Sequence, residues 1–105
     1  MKTSFAVAAL SACFLTMIAT TASAGPIERA CLQSDRDGAS RAVCSCIQQV
    51  ADQTLGGSDQ RRAAKFFGNP EKANTVWQSQ SRSDDAFWER YKSFGSQAES
   101  YCAGI

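Results

Sequence analysis

The feature that most constrains how this chain folds is the pair Cys44-Ser45-Cys46, within the stretch RAVCSCIQQVADQTL. Two positions that are two residues apart on a helix point about 160° away from each other. Cysteines held in this way do not bond to one another unless the helix breaks. Each of them therefore needs a partner elsewhere in the chain, and we expect these partners to be Cys31 and Cys102.

The relative depth of the cysteines in their helices favours one pairing. Cys31 lies shortly before the end of one predicted helix, and Cys44 lies shortly after the start of the next. Such positions face each other in an antiparallel helical hairpin. We predict Cys31–Cys44 and Cys46–Cys102, which stabilise the fold by about 3 and about 4 kcal/mol in the chain-entropy account. Pairing of Cys31 with Cys46, and of Cys44 with Cys102, remains the alternative.

A reactive role for the Cys44 and Cys46 pair is less favoured. Thiol-redox proteins more often present two cysteines, separated by two residues, at the start of a helix. A structural zinc site needs four ligands in paired loops, whereas the cysteines here are scattered along the chain. The sequence therefore predicts structural disulfides, with a thiol-redox protein as a weaker alternative.

The N-terminal residues indicate the compartment. Lys2 precedes an apolar run over residues 5–18, and Ala22-Ser23-Ala24 follows as a small-residue cleavage site. This order is typical of a secretory signal peptide, and the apolar run is too short to span a bilayer. We predict a cleaved signal over 1–24 and a single domain over 25–105, periplasmic or secreted, where disulfides form. Lipidation at Cys13 is disfavoured because the residues after it stay apolar.

The composition of the chain argues against several classes of function. The chain has 11 basic and 10 acidic side chains, so the loss of Lys2 with the signal leaves no net charge. That balance does not suggest a nucleic-acid binder, and residues 25–105 contain no second long apolar run. The chain has no histidine, which removes Ser-His and Cys-His catalytic pairs and most transition-metal sites. We expect a protein without enzyme activity, metal or cofactor.

Apolar residues recur at helical spacing, and no segment alternates as a strand does. The sequence predicts an all-α bundle of four or five short helices stapled by two disulfides. A short helix follows Pro26, and further helices cover about 40–55, 59–67, 70–79 and 83–102. Ser58, Asn69 and Ser83 are the expected N-caps. The last helix carries an apolar stripe that we expect to face the core, formed by Phe87, Tyr91, Phe94, Ala98 and Tyr101.

Two surface clusters are candidates for binding. Arg61, Arg62 and Lys65 form a basic patch beside two phenylalanines, suited to an anionic lipid or an acidic partner. Trp88 lies off the apolar stripe and is a candidate for an exposed contact. The alternative for the basic patch is a solvated helix face. The second cluster, on one turn of the last helix, consists of the carboxylates of Asp84, Asp85 and Glu89, for which helix capping and solvated charge are the alternative.

Four stretches carry a resemblance to a known family: GPIERAC, CIQQVADQTL, SDQRRAAKFF with the NP and KA that follow it, and FWERYKSFG with the AE and YC that follow it. They resemble small secreted bacterial proteins of similar length that often carry the label "arginine transporter", across nearly all of residues 25–105. The resemblance implies an accessory to amino-acid uptake that holds the ligand. An arginine site needs carboxylates and an aromatic face, which Asp84, Asp85, Glu89 and Trp88 are placed to supply.

These observations together favour a binding or accessory module of the cell envelope that is not an enzyme. Its partner would be an envelope protein or a small solute. Uptake of arginine, as the family label implies, is the alternative.

Overall fold

The computed structural model describes residues 24–34 and 37–105. Within those ranges the chain forms five α-helices and no strand: α1 (Pro26–Gln33), α2 (Arg41–Thr54), α3 (Gly57–Gly68), α4 (Pro70–Gln78) and α5 (Arg82–Cys102). The predicted all-α class with two disulfides is therefore confirmed. The predicted signal segment up to residue 23, including Cys13, lies outside the described residues, as do residues 35 and 36. In the part that is described, no helix combines the length and apolar character that crossing a membrane requires.

Side-chain caps fix the starts of α2 and α4, and the cap of α4 is the predicted Asn69. The Ser40 hydroxyl accepts a hydrogen bond from the Val43 backbone N–H at 3.1 Å. The Asn69 carboxamide oxygen accepts from Glu71 N–H at 3.2 Å, and Pro70 takes the first helical position. Each cap satisfies a backbone donor that has no partner within its own helix.

Two of the predicted caps are wrong. α3 begins at Gly57, so Ser58 lies inside the helix, and only Leu55 and Gly56 separate α2 from α3. The cap of α5 is Ser81, whose hydroxyl accepts from Asp84 N–H at 3.1 Å, and Ser83 falls within the first turn. In both places the helix starts earlier than the sequence suggests, because an acidic first turn is compatible with more than one starting residue.

The core is richest in aromatic side chains where α3 meets α5. Phe66 meets Phe87 and Tyr91 edge-on, with ring centroids 5.9 and 5.2 Å apart. Phe94 and Trp88 complete this group through Tyr91. We call Phe66, Phe87, Trp88, Tyr91 and Phe94 the aromatic cluster. Edge-to-face and offset pairs of this kind stabilise a core beyond the area that they bury.

The apolar stripe of α5 does not reach the end of the helix as predicted. Tyr101 is 71% exposed, while the next residue, Cys102, is buried. One residue is about 100° of rotation on a helix, so the buried cysteine turns Tyr101 outwards.

The exposed tryptophan is Trp77 rather than Trp88. Trp88 is half-buried against the core, whereas Trp77 is 61% exposed. α4 has only nine residues and buries a single one of them, Val76. The neighbouring Trp77 therefore faces solvent.

Candidate functional site

The structure joins Cys31 to Cys44 and Cys46 to Cys102, the pairing that the helical geometry favours. The Sγ–Sγ distances are 2.01 and 2.06 Å, and the Cα–Cα distances are 5.6 and 5.8 Å. Cys31, Cys44 and Cys102 are buried. All four cysteines among the described residues are thus engaged in holding α1, α2 and the end of α5 together, and none is a free thiol.

One member of the predicted carboxylate cluster, Asp84, already binds an arginine of the chain itself. The Arg62 guanidinium donates to the Asp84 carboxylate, and its Cζ lies 4.6 Å from the centroid of the Phe87 ring. The hydrogen bond from Arg62 holds the pKa of Asp84 below its usual value, and the Ser79 hydroxyl adds to this effect. A carboxylate and an aromatic face are the groups that recognise a guanidinium, and here they hold the chain's own arginine.

The other two carboxylates of the cluster do not join Asp84. Glu89 pairs with Lys92 at 2.8 Å, three residues along the same helix. Asp85 is exposed and has no ion-pair partner among the described residues. Binding of free arginine by the three carboxylates therefore stays a prediction.

A second guanidinium clamps α3 to α5. Arg90 donates to both carboxylate oxygens of Asp59, from Nε at 2.6 Å and from a terminal nitrogen at 3.2 Å. Donation of these hydrogen bonds to the Asp59 carboxylate raises the pKa of Arg90. Together with the Arg62–Asp84 pair, this gives two ion pairs that join α3 to α5.

The structure separates the three cations of the predicted basic patch. Arg61 is exposed, Arg62 turns towards α5, and Lys65 lines an open cleft between α3 and α4. We call this the α3–α4 cleft; its volume is about 280 Å³ and it is lined by Arg62, Lys65, Phe66, Lys72, Thr75 and Val76. Three cations and no carboxylate line it. That Lys65 and Lys72 share one cleft is not predictable from local sequence signals, because it depends on how α4 packs against α3.

A buried pair of glutamines is a feature that the sequence patterns above do not predict. Gln48 and Gln60 are each only 7% exposed. The Gln48 carboxamide accepts from Glu28 N–H at 2.9 Å and donates to Gln60 and to Asp52, both at 2.8 Å. Gln60 donates in turn to Asp52 at 3.2 Å and to the Leu55 carbonyl at 3.1 Å. Both amide NH₂ groups use both of their hydrogens, so the network that joins α1, α2 and α3 is satisfied.

Gly25 fits against this network only because it lacks a side chain. A Cβ at residue 25 would lie 2.6 Å from the Gln48 amide nitrogen, closer than atoms pack. The signal for the network was present in the sequence, because Gln48 interrupts the buried helical series Cys44, Ala51, Leu55. A polar residue at a core position of a helix indicates a buried hydrogen-bonding partner.

Among the residues that the structure describes, no group of three or more acidic or cysteine side chains is placed to hold a metal ion. Comparison of the chain with protein-family models, with curated proteins and with solved structures finds no match.

Proposed function

We propose that this chain is a small secreted or periplasmic helical protein that serves as a binding or accessory module of the cell envelope and is not an enzyme. Its partner is an envelope protein or a small solute. The disulfides support the compartment, since such bonds form and persist in oxidising environments and are rare in the cytosol. A signal peptide over 1–24 is part of the same proposal.

One observation carries the binding role: cationic side chains that the fold does not use lie around an open cleft. Arg62 and Arg90 are engaged in ion pairs across α3 and α5. Lys65 and Lys72 line the α3–α4 cleft and have no ion-pair partner among the described residues. Charges free of structural partners, on helices fixed by two disulfides, suit the capture of another molecule.

The test is a pull-down from an envelope extract with the oxidised chain from Gly25 onwards as bait. The same chain, reduced and alkylated at its cysteines, is the matched control. We expect a specific partner or ligand with the disulfide-bonded form only. Turnover of a substrate that a single carboxylate or cysteine substitution abolishes would contradict the proposal, and mass spectrometry of a mature N-terminus other than Gly25 would contradict the cleavage site.

Thiol titration separates this proposal from a redox role for Cys44 and Cys46. Structural disulfides leave no free thiol in the secreted protein and have reduction potentials below about −300 mV. A potential near that of catalytic disulfides, at about −200 mV, would favour the redox alternative.

An accessory role in arginine uptake is the second candidate, and the contacts of the Arg62 guanidinium favour it. The Asp84 carboxylate and the Phe87 ring already hold a guanidinium, so a free arginine would fit once Arg62 is displaced. Calorimetry with arginine should therefore give more heat with Arg62→Ala than with the unaltered chain, and lysine is the control ligand. No heat with either chain at millimolar arginine would dismiss this candidate.

A further inference from the structure

We infer that the α3–α4 cleft binds a small organic anion with an apolar body, of which a medium-chain fatty-acid carboxylate is the simplest example. The inference rests on the proposed binding role and names the ligand class for it. It depends on three features: the cations at the rim of the cleft, the apolar residues at its floor, and the single exposed large apolar side chain of α4, Trp77, which does not line the cleft.

The rim of the cleft suits a negative charge. Lys65 on α3 and Lys72 on α4 face the same opening and are both exposed. Arg62 adds a third cation, although Asp84 already neutralises part of its charge. The nearest carboxylate along α4, that of Glu71, does not line the cleft. An anionic head at this exposed rim remains partly hydrated, so binding does not require the burial of an unpaired charge.

The floor of the cleft suits a hydrocarbon. Phe66 and Val76 line it, and they are only 4% and 8% exposed. Thr75 lines the side, and its hydroxyl donates to the Glu71 backbone carbonyl, so that it does not present an unsatisfied donor to the ligand. A volume of about 280 Å³ is below the range usual for drug-sized ligands, which favours a short chain.

A free molecule fits this cleft better than a membrane surface does. The apolar residues of the cleft are recessed, and a flat bilayer would meet the lysines first. Trp77, the exposed aromatic residue of α4, follows Lys72 by five positions and therefore lies about 140° around the helix from it. A membrane-surface helix buries a broad apolar face that lies opposite its basic residues, whereas α4 exposes a single large apolar side chain, Trp77, which does not line the cleft.

The experiment is a titration of the ¹⁵N-labelled, oxidised chain from Gly25 onwards with octanoate, followed by amide chemical shifts. We expect shifts centred on Lys65, Phe66, Lys72 and Val76, and weaker binding at higher salt. Affinity should rise by about fourfold for each buried methylene from butanoate through hexanoate to octanoate. Octanol carries the same body without charge, and acetate carries the charge without the body; both should bind more weakly than octanoate.

A double variant tests the cations. Lys65→Ala with Lys72→Ala removes two exposed charges that make no ion pair within the described residues, so the fold should tolerate it. We expect octanoate to bind about tenfold more weakly. Lys92→Ala is the matched control, since it removes an exposed lysine on α5, and it should leave octanoate binding unchanged.

Several results would overturn the inference. Equal binding of octanol and octanoate would show that the cleft does not recognise the anion. A loss of octanoate affinity in Lys92→Ala as large as that in the double variant would show that the two lysines of the cleft are not the binding site. If the protein associates with vesicles of phosphatidylglycerol and phosphatidylcholine but shows no amide shifts with monomeric octanoate, the ligand is a lipid surface and not a free molecule. Recovery of a protein partner in the pull-down with no octanoate binding would reject this ligand class alone and leave the binding role intact.

Discussion

Helices α1 and α2 are joined by the Cys31–Cys44 bond, and α2 is joined to the end of α5 by Cys46–Cys102. α3, α4 and the first half of α5 contain no cysteine. The aromatic cluster and two ion pairs join α3 to α5, and α4 packs beside them through Val76. We call these the disulfide region and the aromatic region. The helices of the disulfide region are held together by covalent bonds, whereas α3 and α5 of the aromatic region are held together by packed rings.

The difference follows from what each helix is able to bury. α1 has eight residues and buries only Ile27 and Cys31. A helix this short is unstable alone and brings little apolar area to the core. α3 and α5 contribute large rings that bury far more area for each residue. The Cys31–Cys44 bond thus holds a short helix that buries little, and four predictions test the comparison between the two regions.

The largest effect is expected from opening the longer covalent loop. Cys46→Ser with Cys102→Ser should lower the free energy of unfolding by about 4 kcal/mol, because the unfolded chain regains the freedom of a long loop. Cys31→Ser with Cys44→Ser is the control and should cost about 3 kcal/mol. Urea unfolding under oxidising conditions measures both. A greater loss from the shorter loop would show that packing around the bond, rather than loop length, decides its effect.

Truncation of a ring in the aromatic region comes next. Phe87 is 1% exposed and packs against Phe66, so Phe87→Ala should cost about 3 kcal/mol. Trp77→Ala removes an exposed ring and should change the free energy of unfolding by less than about 0.5 kcal/mol. Thermal and urea unfolding measure the free energy of unfolding of both variants. If Phe87→Ala costs no more than Trp77→Ala, the aromatic cluster does not hold its region together.

The glutamine network connects the two regions, and its loss should have an intermediate effect. Gln48→Leu leaves the Glu28 N–H and the Gln60 carboxamide oxygen without their partner, at a cost of about 2 kcal/mol. Gln49→Leu, at the exposed neighbouring position, is the control. Hydrogen exchange of the Glu28 amide should rise sharply in the first variant only. Unchanged exchange there would mean that α1 is held by its disulfide alone.

The smallest effect is expected at the ion pair between Arg62 and Asp84, and it should depend on pH. Because Arg62 lowers the folded-state pKa of Asp84 below 3.8, the stabilisation is present above pH 3.8 and is lost as the pH falls through the folded value. Asp84→Asn should therefore be less stable than the unaltered chain at pH 7, with the difference vanishing in acid.

Asp85→Asn is the control for this last prediction, since its carboxylate lies on the same turn without an ion-pair partner among the described residues. Urea unfolding from neutral to acidic pH measures both variants. A difference between Asp84→Asn and the unaltered chain that persists in acid would mean that the substitution acts through something other than the charge of Asp84.

Local signals in the sequence predicted much of the fold. The cap at Asn69 and the opposed directions of Cys44 and Cys46 depend on helix geometry within a few residues. The helices and the disulfide partners follow from such signals. Where two nearby serines both suited a cap, as at 81 and 83, local preference did not separate them.

Properties that depend on which helices touch were harder to foresee. The exposures of Trp77 and Trp88 depend on how little of α4 is buried, and the bonds of Gln48 depend on groups from α1 and α3. The α3–α4 cleft likewise exists only because Lys65 and Lys72 come together from different helices. The sequence predicts the basic patch as a candidate surface, but it does not predict which cations of the patch make ion pairs within the fold and which do not.

Ser45 is the one residue that lies between the two covalent rings, which are closed by Cys31–Cys44 and by Cys46–Cys102. A protease that cuts inside either ring opens it, but the two pieces stay attached through the disulfide. Only the two peptide bonds of Ser45 would release one ring from the other, and these lie within α2, where the backbone is not extended for cleavage. A nicked molecule should therefore run as a single species until a reductant is added.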